Sequence, residues 1–411
     1  MYRVEIRRWL AGLAVVLVVG AGAVGCSARS STAATIDVDA AVALADHPIE
    51  ARVTGLLARE AVTVAARATD RTGQPWHAEA TFEADGGGVV DLARSAPASG
   101  TYTGVDGMGL FWSMRPVTGD PERSWFSPGH PETKAAYDVR LTVTAAGREI
   151  AARTVTRQWI APGVTHRALT AAADGVAGVL FLPPPGAERR PGVLVFGGSE
   201  GGISGRYDAA LFASHGHPAL ALGYFSAPGL PDTLRDIPLE YFATAARLLR
   251  QQPGADRDAV VVNGASRGAE AALLLAQHFP DLVRGTILYS PNDTVSQGFP
   301  SGGDAWTIGG VPVPRSAIPV DRVTGPVLTI AGGDDRLWPA AEQARRIMDR
   351  LDGTAAYQSL IYPDAGHAVG SFPYLAGGTF ADPWELGGTR EADAAARIDS
   401  WPQVLAFAAA D

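Results

Sequence analysis

Three residue types, met in one order along the chain, could do chemistry: a serine between glycines at 264–268, two aspartates at 334–335 and a histidine at 367. A serine hydroxyl is a weak nucleophile at neutral pH. It needs a base to take its proton, and the base needs a carboxylate to fix its tautomer. Gly264-Ala265-Ser266-Arg267-Gly268 follows the β-branched run at 260–262 and opens an alanine- and leucine-rich helical pattern reaching residue 276. Strand, sharp turn and helix is the context that a G-x-S-x-G nucleophile requires. The glycines let the backbone fold tightly, and a helix beginning at the serine aims free N–H groups at an oxyanion forming beside it.

The order serine, acid, histidine is that of the α/β-hydrolases, with each group on a loop after a strand. Asp335 lies in Gly332-Gly333-Asp334-Asp335-Arg336-Leu337-Trp338-Pro339, directly after the apolar run VLTIA. Asp334 is its rival, better suited to capping a turn before Pro339. His367 ends Tyr362-Pro363-Asp364-Ala365-Gly366-His367, just past the run LIY, and of the eight histidines it alone holds the position a base needs. Of the two oxyanion donors, one is expected from the backbone of Arg267. The other is expected from the loop Gly197-Gly198-Ser199-Glu200-Gly201-Gly202, from Gly198 or Ser199. That loop lacks the lysine and the G-x-G-x-x-G spacing of a phosphate cradle. His215-Gly216-His217 stands without nearby acids or cysteines, so neither a metal nor a cofactor is expected.

These groups need a scaffold, and the chain after residue 175 supplies strand runs alternating with helical patterns: GVLVF, PALALGYF, the helix from Pro238, the nucleophile unit, TILYSP, VLTIA and YQSLIY. Such alternation implies a mostly parallel sheet with helices on both faces. A Gly- and Pro-rich stretch at 291–326 has little periodicity and is long enough to form a lid or pocket wall. Earlier, from about 36 to 160, short alternating runs separated by turns such as Asp70-Arg71-Thr72-Gly73 read as an antiparallel sandwich. The boundary is expected between Arg157 and Gly175, giving a β-sandwich at 36–160 and a catalytic domain at 170–411.

The 411 residues carry a formal charge of -9 and a single lysine, Lys134, which disfavours a nucleic-acid partner. Arg3, Arg7 and Arg8 precede an apolar run from Trp9 to Val24, the layout of an export signal over residues 1–25. Cys26, the sole cysteine, follows Ala23-Val24-Gly25, where a bacterial lipoprotein carries its lipid. Residues 26–35 read as a polar tether, so the expectation is an exported lipoprotein anchored to the membrane through Cys26.

Several segments resemble one family. Thr72-Gly73-Gln74-Pro75-Trp76, Ser99-Gly100-Thr101-Tyr102-Thr103-Gly104, Gly107-Met108-Gly109-Leu110-Phe111-Trp112 and Ile237-Pro238-Leu239-Glu240-Tyr241-Phe242, with the segments around Ser266, Asp335 and His367, are similar to the acyl-CoA thioesterase and bile acid-CoA:amino acid N-acyltransferase family. The resemblance implies an immunoglobulin-like β-sandwich ahead of an α/β-hydrolase domain, the trio Ser266, Asp335 and His367, and hydrolysis of acyl thioesters. Its amino-acid transferases place cysteine at the elbow, so Ser266 implies free acid as the product. Two departures stand out. Arg267 replaces a usually uncharged residue, and the export signal separates the enzyme from the acyl-CoA pool. An acyltransferase, an envelope acyl esterase and a non-catalytic envelope lipoprotein are the competing readings. If acyl-CoA binds, its phosphates want a basic rim, for which Arg206 and Arg267 are the candidates.

Overall fold

The structure, a computed structural model, describes residues 33–351 and 356–410. The expected export signal, Cys26 and most of the tether lie outside the described residues. Among the described residues no helix is long and apolar enough to cross a membrane.

The first half is built from ten strands. β1 (Thr35–Val38), β3 (Ala51–Thr54) and β6 (Val90–Asp91) form one small sheet. β2 (Val42–Leu44), β4 (Ala61–Thr69), β5 (Pro75–Glu83), β7 (Ser99–Gly100), β8 (Arg115–Pro116), β9 (Ala136–Ala145) and β10 (Arg148–Gln158) form a larger one, in the order β2-β10-β9-β4-β5-β7 with β8 also on β5. In β4 the residues Val62, Val64 and Ala66 are buried while those between them face outward, the two-residue period of a half-buried strand. A single helical turn, α1 (Gly109–Trp112), is wholly buried, so Gly107–Met114 serves packing.

The second half begins earlier than residue 170. β11 (Thr165–Leu169) already pairs with the next strand, so the join falls between Gln158 and Thr165. A short helix α2 (Ala171–Asp174) leads to β12 (Ala177–Leu182) and β13 (Arg190–Phe196). Then come α3 (Arg206–Ser214), β14 (Ala219–Gly223), β15 (Ile237–Pro238), α4 (Leu239–Arg250), β16 (Ala255–Ala265), α5 (Arg267–His278) and β17 (Val283–Tyr289). The eight-stranded sheet runs β11-β12-β14-β13-β16-β17-β20-β21, where β20 is Val327–Gly332 and β21 is Tyr357–Tyr362. From β14 onward every pairing along that order is parallel. β14, β17 and β20 are almost wholly buried, which explains why they read as unbroken apolar runs rather than alternating ones.

Between β17 and β20 the Gly- and Pro-rich stretch contributes β18 (Trp306–Ile308) and β19 (Val311–Pro312), and β18 pairs with β15. After β21 come a hairpin, β22 (Phe380–Ala381) with β23 (Trp384–Glu385), and the last helix, α7 (Arg390–Ala409); α6 (Ala340–Leu351) precedes β21. The halves are joined by buried polar contacts as well as one continuous apolar cluster. Asp46 receives Trp401 Nε1 at 2.8 Å and pairs with His215 at 2.7 Å. Arg206 pairs with Glu132 at 2.6 Å, and Ser127 and Tyr207 share a hydroxyl–hydroxyl bond at 3.1 Å.

Candidate active site

The strand, sharp turn and helix around Ser266 form as the sequence leads one to expect. Ser266 sits between β16 and α5 with φ 57° and ψ -120°, a region a serine enters only under constraint, at a cost on the order of 1–3 kcal/mol. Its backbone N–H donates to Tyr289 O at 2.9 Å, which ties the elbow to β17. Glycine is required beside it, because a Cβ on Gly268 would strike the carbonyl oxygens of Phe196 and Gly197. Arg267 is the first residue of α5, so its backbone N–H has no partner within the helix and lies next to the serine.

The acid and the histidine meet. Asp335 Oδ2 and His367 Nδ1 are 2.7 Å apart, and the Asp335 side chain is only 1% exposed. Asp335 Oδ1 accepts the N–H groups of Leu337 at 2.9 Å and Trp338 at 3.3 Å, so both carboxylate oxygens are held. With Nδ1–H given to the carboxylate, Nε2 keeps the lone pair a general base needs. The ring is steadied by the edge of Trp338 at 4.9 Å, and its backbone N–H donates to Leu386 O at 2.8 Å. Asp334 has a different occupation: it accepts Gly388 N–H at 2.9 Å and pairs with Arg336 at 3.5 Å on the surface. Ser266 and His367 line the same cavity, and among the described residues no direct hydrogen bond joins them; such bonds often tighten only around substrate.

Loop 197–202 packs on the elbow. A Cβ on Gly198 would lie 2.7 Å from Ser266 Cβ, so only glycine permits this approach. Tyr224 Oη donates to the carbonyls of Gly197 at 2.9 Å and Gly198 at 3.0 Å, fixing the loop's outer edge. The Gly198 N–H, one of the two candidates for the second oxyanion donor, is held by the Glu200 carboxylate at 2.9 and 3.1 Å.

The Arg267 side chain differs from the expected anion-binding edge. It is buried, 2.9 Å from Glu270, and reaches Ser296 O at 3.3 Å. Glu270 also accepts Asn292 Nδ2 at 2.9 Å, Ser296 Oγ at 2.7 Å and Trp306 Nε1 at 3.0 Å. Arg206 is likewise engaged, with Glu132. Both cations are paired internally, and for the buried Arg267 an unpaired charge would cost several kcal/mol.

The cavity occupies about 1050 Å³. Three segments distant in sequence build its apolar wall: Trp125 from the first half, Phe299 from the 291–326 stretch, and Trp384 from the hairpin. Phe299 and Trp384 lie 5.7 Å apart ring to ring, and Trp125 Nε1 donates to Phe380 O at 3.0 Å. A polar flank carries Asp208, whose carboxyl burial pushes up to about 6, with Asn263 and Ser371. Among the described residues no cluster of His, Cys, Asp and Glu could hold a metal ion. Glu200, Asp208, Glu270 and Trp125 escaped the sequence reading. Only Glu270, a charge on an otherwise apolar helical face, left a signal there.

Residues 46–171 match the acyl-CoA thioester hydrolase/BAAT N-terminal region, and 237–299 with 309–410 match the BAAT/acyl-CoA thioester hydrolase C-terminal region. Mouse acyl-coenzyme A thioesterase 6 is 30% identical over 91% of this chain and 96% of its own. Mouse acyl-coenzyme A amino acid N-acyltransferase 1 is 30% identical over 89% and 94%. A putative dienelactone hydrolase from Klebsiella pneumoniae covers 60% of this chain and 99% of its own at 18% identity, with a TM-score of 0.43. With both regions matched and relatives aligned end to end, the chain belongs to the acyl-CoA thioester hydrolase/BAAT family.

Proposed function

We propose that the protein hydrolyses acyl thioesters through a covalent intermediate on Ser266, and that it does so as an exported lipoprotein. The observation that carries this reading is the 2.7 Å pairing of Asp335 with His367 at a cavity shared with a strained serine elbow. Ser266 Oγ attacks the acyl carbonyl carbon while His367 Nε2 takes its proton. The oxyanion is met by the backbone N–H groups of Arg267 and Ser199, since Glu200 occupies that of Gly198. The thiol departs with the proton from His367. Water then repeats the sequence, leaving a carboxylic acid and restoring the serine. Trp125, Phe299 and Trp384 give the acyl chain an apolar wall, and the first half, as an immunoglobulin-like sandwich, contributes Trp125 to it.

The substrate reading follows from charge. Arg206 and Arg267 are spent on internal carboxylates, so neither of these two cations is free to meet CoA phosphates. The protein turns over medium to long acyl-CoA, while its working substrate is an acyl ester or thioester of the cell envelope. The experiment compares kcat/KM for palmitoyl-CoA, a CoA-free thioester of equal chain length and an acyl ester, with glycine and taurine present. Free acid is the expected product, with an acyl adduct on Ser266 by mass spectrometry and none on Ser266→Ala. Amide as the main product overturns the hydrolase reading. A loss above about 100-fold on removing the CoA nucleotide, ~2.7 kcal/mol of transition-state binding, overturns the envelope substrate.

A further inference from the structure

His367 is fixed from the front by Asp335, but the chain that follows it needs a hold of its own. Residues 367–369 form a single 3-10 turn, and the next stretch carries two non-glycine residues at positive φ, Ser371 at 95° and Tyr374 at 73°. Side chains rarely adopt that region, so some contact must impose it. The contact at Ser371 is Asp208, in the first turn of α3. Ser371 Oγ donates to Asp208 Oδ1 at 3.0 Å and lies 3.3 Å from Oδ2. Phe372 then packs its ring against Trp159 at 5.2 Å and Tyr207 at 5.8 Å. Gly370, between histidine and clamp, runs so close to Tyr289 that a Cβ there would lie 3.2 Å from the Tyr289 Cβ, and the Tyr289 carbonyl holds the Ser266 N–H. The neighbours of Asp208 in α3, Arg206 and Tyr207, are the two residues that bind Glu132 and Ser127 of the first half.

We infer that Asp208 is a positioning residue for hydrolysis, clamping the loop behind His367 in the conformation that presents the imidazole to Ser266. The inference rests on the serine-hydrolase reading above. Asp208 touches neither the acyl carbon nor the transferred proton. It acts by holding Ser371 in a backbone conformation the chain would otherwise leave, and a misplacement of about 1 Å in a catalytic group costs on the order of 10²-fold in rate. Asp208 lies on the polar part of the cavity lining and not on the aromatic wall proposed to hold the acyl chain, so the defect is expected on kcat more than on KM.

The test uses the full-length protein and two readouts: steady-state kinetics on an acyl thioester, and the rate at which a fluorophosphonate labels Ser266. Asp208→Ala is expected to lower kcat and the labelling rate together, by about 10- to 100-fold, with KM within about threefold of wild type. Adding Ser371→Gly to that variant is expected to restore much of both, because glycine accepts φ 95° without a clamp. Asp208→Asn, which keeps one carbonyl acceptor for Ser371, is expected to stay within about tenfold and covers the case in which the alanine variant does not fold. Asp208→Ala or Asp208→Asn that raises KM alone, or a double variant no better than Asp208→Ala, overturns the inference. Wild type that fails to label at Ser266 overturns the serine reading instead, so the two failures are told apart.

Discussion

At the scale of single residues, two adjacent aspartates divide two jobs. Asp335 is buried and spends one oxygen on His367 and the other on backbone N–H groups, whereas Asp334 is half exposed and caps the turn at Gly388. Removing the charge of Asp335 leaves the imidazole free to carry its proton on the wrong nitrogen. Asp335→Asn is therefore expected to lower kcat by up to about 10⁴-fold. Asp334→Asn loses a solvent-screened surface pair with Arg336 and is expected to change kcat less than about threefold. Parallel steady-state assays of the two variants decide the matter, and a crippled Asp334→Asn beside an active Asp335→Asn would place the acid one residue away.

At the scale of elements, the elbow helix and the 291–326 stretch are locked together by the buried Arg267 and Glu270. The stretch has few apolar residues in any regular period, so its own secondary structure is minimal, and Glu270 organises it by accepting from Asn292, Ser296 and Trp306. Arg267→Met leaves that carboxylate buried without its cation, a change expected to cost about 3–5 kcal/mol in denaturant unfolding. The double variant Arg267→Met/Glu270→Gln is expected to recover part of the loss. Losses that simply add would show that the pairing is not what stabilises the stretch. Backbone N–H donation by residue 267 survives the methionine change, so a kcat loss exceeding that caused by partial unfolding would also argue against this division of roles.

At the scale of the whole molecule, the cavity that holds Ser266 and His367 is a joint product of both halves. Trp125 arrives from the first half, and the ties between Asp46, Glu132 and Ser127 on one side and Trp401, Arg206 and Tyr207 on the other fix its approach. Placement in the cell is a separate question carried by residues 1–26, where the arginines, the apolar run and Cys26 motivate the lipoprotein proposal. Wild type produced in a bacterium with the export machinery is expected to partition with membranes and to label with a palmitate analogue, and Cys26→Ala is expected not to label. Recovery of wild type in the cytosol with Met1 intact would remove the anchoring from the proposal.

How much of this the sequence determines depends on the range of the physics involved. The strand-elbow-helix unit is legible because it is local: β-branched residues, then glycines where a Cβ would collide, then helix formers. The Ser, Asp, His order is legible because each group follows a strand whose apolar run marks it. Sequence leaves Asp334 and Asp335 as neighbouring rivals, and only the fold shows which carboxylate meets the ring. The join between the halves is legible only as a window, because Thr165–Leu169 is an exposed edge strand, alternating too weakly to reveal which sheet it joins. Arg267 illustrates the limit best. From sequence it is a cation beside a nucleophile, available to a phosphate; in the folded chain Glu270, one turn on, and Ser296, brought from a distant stretch, consume it. Whether a charge faces solvent or is neutralised depends on desolvation and on partners assembled across tens of residues. That is why residue types and their order could be read along the chain, while the charge and shape of the cavity were decided only by tertiary packing.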